Sequence, residues 1–284
     1  MPLHPTAYLF VPGNRPERFD KALASGADAL VLDLEDAVTL EEKSAARQHI
    51  AEWLDQNPDA RDNTVVRIND ASSADYTKDC EWLLRSKPLW VMLSKAESAQ
   101  QIDDVMAHLG RSGRVIALIE TALGVRNVEA VARAAGVHRV AFGTLDYAVD
   151  MGIAGDHLGL QYAAAHIAHA SRWARIVAPI AGVTPSLDNP AALEQDLAFA
   201  SSLGFTAKLC IHPRQLAAVK KHFAPTHQEV QWARRVIEAA QQSQGAIQLD
   251  GRMVDRPVIL KAQAVLDRVV PPAPILTLNH EKPS

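Results

Sequence analysis

Ala29-Leu30-Val31-Leu32-Asp33-Leu34-Glu35-Asp36 is the stretch that decides the fold. Its first four residues are apolar without alternation, and then carboxylates arrive at Asp33, Glu35 and Asp36. A strand that is apolar at consecutive positions is covered on both faces, the condition of a parallel sheet between helices. The switch to carboxylates marks the end where such a strand reaches solvent.

The same design recurs in both directions. Strands are expected at Tyr8–Val11, Ala29–Leu34, Thr64–Ile68, Trp90–Ser94, Arg114–Ile119, Arg139–Gly143, Pro179–Val183 and Ala207–Ile211. A stretch with helical spacing follows each one: Pro16–Ala24, Leu40–Leu54, Asp75–Arg85, Ala99–Leu109, Val125–Ala135, Leu160–Ile176, Ala191–Leu203 and Arg214–Phe223. Thr39 with Glu42 has capping-box spacing, and Ser98 and Asn189 suit N-caps. Gly110, Gly136 and Gly204 stand where helices should stop. Eight βα units in roughly 220 residues match a TIM (β/α)8 barrel. An open doubly wound sheet is the runner-up, but it usually carries G-x-G-x-x-G after the first strand. Here that turn reads Val11-Pro12-Gly13-Asn14-Arg15-Pro16.

The chain continues beyond the eighth unit. A helix is expected at Gln228–Gln242, then a hairpin over Gly245–Asp255 with Asp250-Gly251 at its turn, then a helix from about Pro257 to Val269. Pro271-Pro272 stops that helix, and a disordered tail is expected over residues 279–284. The expected division is a barrel over residues 1–224 and a helix-hairpin-helix lid over 225–284.

Composition narrows the function. A net charge of −4 argues against a general nucleic-acid binder, and no apolar stretch is long enough for a membrane span. No signal peptide precedes the first strand. Cys80 and Cys210 fit no C-x-x-C or zinc pattern, so they read as two reduced thiols, as in the cytosol.

A TIM barrel works at the C-terminal ends of its strands. There the sequence places Asp33, Glu35, Asp36, Arg67, Lys95, Glu120, Asp146 and His212. Glu120 and Asp146 end neighbouring strands, and two carboxylates with open positions suit magnesium. The plainer alternative is that each caps the helix after it. The planar fork of Arg67 suits a carboxylate, either a substrate's or that of Glu35 or Asp36. Lys95 suits a Schiff base or a salt bridge. Arg15, Arg18 and Lys21 lie near one helix start and make an anion site suited to phosphate, or a solvated face. His212 suits loop closure better than catalysis. His157, His166 and His169 lack the partners of a metal site.

These residues fall into segments that carry a family pattern. They are Leu9-Phe10-Val11-Pro12-Gly13-Asn14-Arg15-Pro16, Leu32-Asp33-Leu34-Glu35-Asp36-Ala37-Val38, Val66-Arg67-Ile68-Asn69, Leu93-Ser94-Lys95-Ala96-Glu97-Ser98, Ile119-Glu120-Thr121, Lys208-Leu209-Cys210-Ile211-His212-Pro213 and Gly251-Arg252-Met253-Val254-Asp255. In this order they resemble the citrate lyase β-subunit-like proteins of the HpcH/HpaI aldolase superfamily, which includes malyl-CoA and citramalyl-CoA lyases. The resemblance implies a barrel with a C-terminal lid, usually trimeric, and magnesium on Glu120 and Asp146. It implies Arg67 on the substrate carboxylate and Asp255, on the lid, as acid/base in a neighbouring subunit's site. Two departures stand out: Leu145 where relatives often have Glu, and Ala181 where many have Asp.

The expected reaction is reversible cleavage of a 3-hydroxyacyl-CoA to acetyl-CoA and a 2-oxo acid, with Arg15 and Lys21 steadying the CoA phosphates. Two alternatives stay open: a subunit acting on an acyl-carrier-bound citryl thioester, and an aldolase on free hydroxy acids.

Overall fold

The computed structural model describes residues 5–242, 247–249 and 252–269. The chain forms two compact units, one from Pro5 to Phe223 and one from Ala224 onward. In the first, eight parallel strands close in chain order: β1 (Ala7–Pro12), β2 (Ala29–Asp33), β3 (Thr64–Ile68), β4 (Trp90–Leu93), β5 (Arg114–Ile119), β6 (Val137–Phe142), β7 (Val177–Ala181) and β8 (Ala207–Cys210). β8 pairs back on β1, so the sheet has no edge. This is the (β/α)8 barrel expected from the strand pattern.

Side chains alternate between two apolar layers. Tyr8, Val31, Val65, Met92, Leu118, Ala141 and Leu209 form one cluster, in the barrel lumen. Leu9, Leu32, Val66, Leu93, Ile119, Phe142 and Cys210 join the other, against the surrounding helices. Successive strand residues point to opposite faces. The lumen parity therefore runs upward from Val31 to Asp33 and Glu35, from Val65 to Arg67, and from Leu118 to Glu120. An apolar plug is capped by charge at its C-terminal end.

The helices α1 (Phe19–Leu23), α2 (Lys43–Gln56), α3 (Tyr76–Ser86), α4 (Ala99–Leu109) and α5 (Ala122–Arg133) follow the first five strands. α6 (Thr144–Met151) and α7 (His157–Trp173) both follow β6; α8 (Pro190–Ser202) follows β7 and α9 (Leu216–Phe223) follows β8. Ser98 forms a capping box with Gln101 at α4, and Asn189 accepts from the Ala192 amide at α8. Thr39 and Glu42 do hydrogen-bond through their side chains, at 3.0 Å, but α2 begins at Lys43 and Glu42 is its uncapped N-cap.

Some elements differ from the sequence pattern. α6 was not expected, because Thr144-Leu145-Asp146 reads as the end of a strand; the chain turns into a helix at Gly143 instead. β7 runs from Val177, two residues before the expected start at Pro179. Proline without its N–H is tolerated at ladder irregularities, and the β6–β7 register shifts between Arg139 and Ala141.

At the N-terminal end of the barrel, Arg139 is a buried cross-brace with 1% exposure. Its guanidinium donates to the Pro5 carbonyl at 2.8 Å, the Ala178 carbonyl at 2.5 Å and the Thr206 hydroxyl at 2.7 Å. Asp28 makes a second tie: its carboxylate accepts from the Thr6 amide at 2.9 Å and the Ala7 amide at 3.1 Å, and from Lys220 Nζ at 2.8 Å.

In the second unit, α10 (His227–Gln242) and α11 (Arg256–Leu266) bury Ala233, Val236, Ala262 and Val265 together. β9 (Ile247–Leu249) and β10 (Arg252–Val254) pair antiparallel, with Leu249 opposite Arg252. Asp250 and Gly251, expected at the turn, lie outside the described residues, as do Pro271-Pro272 and the expected disordered tail. Asp255 is the N-cap of α11 and accepts from the Val258 amide at 3.2 Å. Among the described residues no helix is long and apolar enough to cross a membrane.

Candidate active site and metal centre

Strand register sets the site. Asp33 lies level with Arg67 across β2 and β3. Arg67 Nε donates to Asp33 Oδ1 at 2.7 Å and NH2 donates to Oδ2 at 2.6 Å, a bidentate pair. Asp33 also accepts the amides of Glu35 and Ala37, at 2.9 and 3.0 Å. NH1 lies 2.7 Å from Glu35 Oε2 and 3.9 Å from Asp36. The guanidinium carbon sits 4.8 Å above the Phe10 ring. Arg67 thus spends two of its five N–H groups on Asp33, and its plane is fixed. Burial opposes its charge, but Asp33 and Glu35 outweigh that and push its pKa up. The sequence suggested Glu35 or Asp36 as its partner, and Glu35 is one; the bidentate anchor beside it is Asp33, to which no role had been assigned. The matched lumen parity of Asp33 and Arg67 is the signal that finds it.

Glu35 is 4% exposed and turns toward Lys95, whose Nζ lies 3.3 Å from Oε1. The peptide that carries Glu35 is held from behind. Lys43 Nζ donates to the carbonyls of Leu34 and Glu35, at 2.8 and 3.0 Å, and to Asn69 Oδ1 at 2.5 Å. Asn69 donates to Asp79, which is paired with Arg47 at 2.6 Å. This buried chain of bonds is satisfied along its length, so it fixes the rim of β2 and β3 rigidly.

Lys95 has φ of 45°, and its amide donates to Glu120 Oε1 at 2.8 Å. Its ammonium is pushed up in pKa, because Glu35 and Glu120 outweigh burial. A Schiff base needs the neutral amine. The surroundings of Lys95 favour the salt bridge over covalent catalysis.

Glu120 is 3% exposed, and its pKa is raised to about 8. Burial is the main cause; the charges of Glu35 and Asp146 add to it, against the Lys95 amide and Arg67. Asp146 is in the first turn of α6, not at a strand end as expected, yet it is near enough to act on Glu120. Gly143 makes room between them: a Cβ there would lie 2.4 Å from Glu120 Oε2 and 2.7 Å from Glu120 Cβ.

The donors present fit a small hard cation. Glu120 is a buried carboxylate pressed by other carboxylates, and a divalent ion would relieve that repulsion. Ser94 Oγ is buried on the same rim without a hydrogen-bond partner, and Glu35 Oε2 is held there only by its ion pair with Arg67 NH1. Among the described residues no three His, Cys, Asp or Glu side chains converge on one point. Two carboxylates with the remaining positions left to water and substrate are the magnesium pattern, not a zinc or calcium cage.

The other predicted residues are dispersed. Arg15 and Lys21 are exposed after β1, around a three-residue 3-10 helix and the short α1. His212 accepts from the Arg214 amide and forms a capping box with Gln215, which is loop closure. His157 pairs with Asp196 at 2.9 Å, and His166 lies 3.6 Å from Glu129. His169 is exposed, lining a groove with Arg133 and Arg172. Leu145 is 48% exposed. Asp255 belongs to the second unit.

A closed parallel barrel with a fixed arginine, a carboxylate pair and a paired lysine at its C-terminal rim has the architecture of a (β/α)8-barrel enzyme. Comparison with known proteins narrows this: the HpcH/HpaI aldolase/citrate lyase family matches residues 6–213, and the chain belongs to that family of lyases. A citrate lyase subunit beta-like protein of Mycobacterium tuberculosis is 35% identical over 269 residues, covering 92% of this chain and 94% of that protein. Human mitochondrial citramalyl-CoA lyase is 31% identical, covering 90% of this chain and 83% of the human protein. The crystal structure of M. tuberculosis CitE in complex with magnesium, acetoacetate and coenzyme A superposes with a TM-score of 0.81 at 33% identity, covering 94% of this chain and 99% of that one.

Proposed function

We propose that the chain is a magnesium-dependent carbon–carbon lyase acting on a 3-hydroxyacyl-CoA of the malyl-CoA or citramalyl-CoA type. Cleavage gives acetyl-CoA and a 2-oxo acid, and the reaction runs both ways. The observation that carries this reading is the buried Glu120 carboxylate, pressed by Glu35 and Asp146 and facing the fixed Arg67. Glu120 and Asp146 would hold magnesium, which when bound would supply Lewis-acid polarisation of the 2-oxo acid carbonyl. Arg67 receives the acid's carboxylate on the N–H groups not spent on Asp33 and Glu35. Lys95 stays charged and holds Glu35 in place. Arg15 and Lys21 meet the CoA phosphates.

Asp255 takes the hydroxyl proton as the carbon–carbon bond breaks, the electron pair moves onto the acetyl carbon beside the thioester, and protonated Asp255 returns the proton to that carbon to complete acetyl-CoA. In the synthetic direction Asp255 takes a proton from the acetyl methyl group. Asp255 acts from a neighbouring subunit of a homotrimer or a multiple of trimers, working in the cytosol. The likeness to CitE bound to coenzyme A and to citramalyl-CoA lyase supports the thioester class. The likeness to citrate lyase subunit beta-like proteins keeps an acyl-carrier thioester as the second reading.

The test is turnover of malyl-CoA and citramalyl-CoA by the purified chain with magnesium, read as 2-oxo acid release. Turnover that stops with EDTA is expected. A chain inert on free CoA esters but active on an acyl-carrier thioester sinks the first reading in favour of the second. For Asp255, mixed oligomers of Asp255→Ala and Arg67→Ala should regain part of the activity each has lost; verified mixed oligomers that stay dead refute the shared site.

A further inference from the structure

Behind the barrel wall lies a cavity of about 150 Å3 that the proposed reaction does not use. Its walls are the outward faces of β6 to β8, with Phe142, Ala181 and Lys208, and the helices α7 and α8, with Leu160, Ala164 and Phe199. Ala181 is one of the two departures from the family pattern, and it leaves Asp196 as the carboxylate in this lining. The cavity is lined by hydrocarbon except at the end where Thr144, His157, Asp196 and Lys208 bring polar side chains.

That end has unspent donors. Lys208 is 2% exposed, and its Nζ donates to the Gly182 carbonyl at 2.6 Å. The nearest carboxylate oxygen, on Asp196, is at 3.8 Å, beyond hydrogen-bond distance. An ammonium has three N–H groups, so two remain. Asp196 is engaged elsewhere, by His157 at 2.9 Å and by the Thr184 hydroxyl. The Thr144 hydroxyl lines the same cavity and has no hydrogen-bond partner among the described residues. Burial pulls the pKa of Lys208 down, so an anion placed on it relieves a real cost.

We propose that this cavity binds a short aliphatic carboxylate of roughly four to six carbons, the load that a cavity of similar volume carries elsewhere. Its head group sits on Lys208 and Thr144, and its chain lies against Phe142, Leu160 and Phe199. The site is separate from the Glu120–Asp146 pair. It adjoins Thr144 and Leu145, the residues just before Asp146, so an occupant braces the first turn of α6.

The experiment is calorimetric titration of the full chain with isovalerate in EDTA, so that no metal takes the carboxylate. Saturable binding is expected in the wild type. Ala164→Phe, which fills the chain end, and Lys208→Met, which removes the head-group donor, should each weaken it at least tenfold. Glu120→Gln should leave it unchanged, and isovaleramide should bind at least tenfold more weakly. If either variant fails to fold, the comparison of isovalerate with isovaleramide on the wild type decides, since it needs no substitution. The proposal is overturned by the absence of saturable binding in the wild type, by unchanged affinity in Lys208→Met, by loss of binding in Glu120→Gln, or by equal affinity for the amide.

Discussion

Replacing Gly143 by alanine adds one methyl group next to Glu120 and to nothing else in the proposed chemistry. The new Cβ would lie 2.4 Å from Glu120 Oε2 and 2.7 Å from Glu120 Cβ. Against an ordinary contact near 3.4 Å, the overlaps are 3.4 − 2.4 = 1.0 Å and 3.4 − 2.7 = 0.7 Å. The carboxylate end can swing away, but the Cβ overlap reaches the backbone of a buried residue. Glu120 must move by about an ångström, and a misplacement of that size costs on the order of a hundredfold in rate. A hundredfold is about 2.7 kcal/mol of lost transition-state stabilisation. Overpacking of this kind costs about 1–3 kcal/mol in stability, which a barrel of this size survives. The assay is 2-oxo acid release from citramalyl-CoA across a magnesium titration, with circular dichroism to confirm the fold. kcat/KM should fall about a hundredfold, and the magnesium concentration for half-maximal rate should rise. A folded Gly143→Ala enzyme with near-normal rate and magnesium requirement would refute the placement of Glu120 at the metal.

Three further outcomes follow from the same geometry. Borohydride treatment with pyruvate should leave no adduct on Lys95, because Glu35 and Glu120 hold its ammonium charged; a mass shift mapped to Lys95 contradicts this. Asp28→Asn should cost about 1–3 kcal/mol in urea unfolding, having lost its charge-assisted bonds. Burial opposes ionisation of Asp28, but Lys220, Thr6 and Ala7 outweigh it and lower its pKa. A depressed carboxylate stabilises the fold above its unfolded pKa, near 3.9, and loses that contribution as pH falls through the folded value. Wild type and variant should therefore converge in stability in acid below about pH 4, and a gap that persists there shows that the ionised form is not the cause. Cys210 is buried, and its thiol is pushed up to about 12, chiefly by burial, with Cys80 also raised; neither should react with a thiol reagent until urea is added, and a fast native phase would count against both placements.

The barrel was legible because its strands are apolar at consecutive positions and its breaks fall between them. The rim was legible for a related reason: a charged residue directly after such a run has no place but the open end. Asp33 was passed over because it looks like any strand-terminal acid until the register sets it level with Arg67. α6 was hidden because Thr144-Leu145-Asp146 continues an apolar run, and only the turn at Gly143 separates strand from helix. The role given to Asp255 came from family likeness alone. Its sequence neighbourhood reads as the end of a hairpin, and N-capping of α11 is the contact that the structure gives it.

The brace formed by Arg139 bears on synthesis as well as on stability. Its guanidinium joins Pro5 to a strand 134 positions away in the chain and to Thr206, a further 67 on. A chain leaves the ribosome from its N-terminus at roughly 5–20 residues per second. The first strand therefore spends most of translation without its eventual neighbour on one side. It can be locked only after Thr206 and β8 have emerged. During that interval, Ala7–Pro12 is a strand with one open edge and an apolar sequence, the kind of segment that invites mispairing between chains. The long delay to closure makes the nascent polypeptide of this barrel a natural client for holding chaperones, with the first strand as the segment to be shielded.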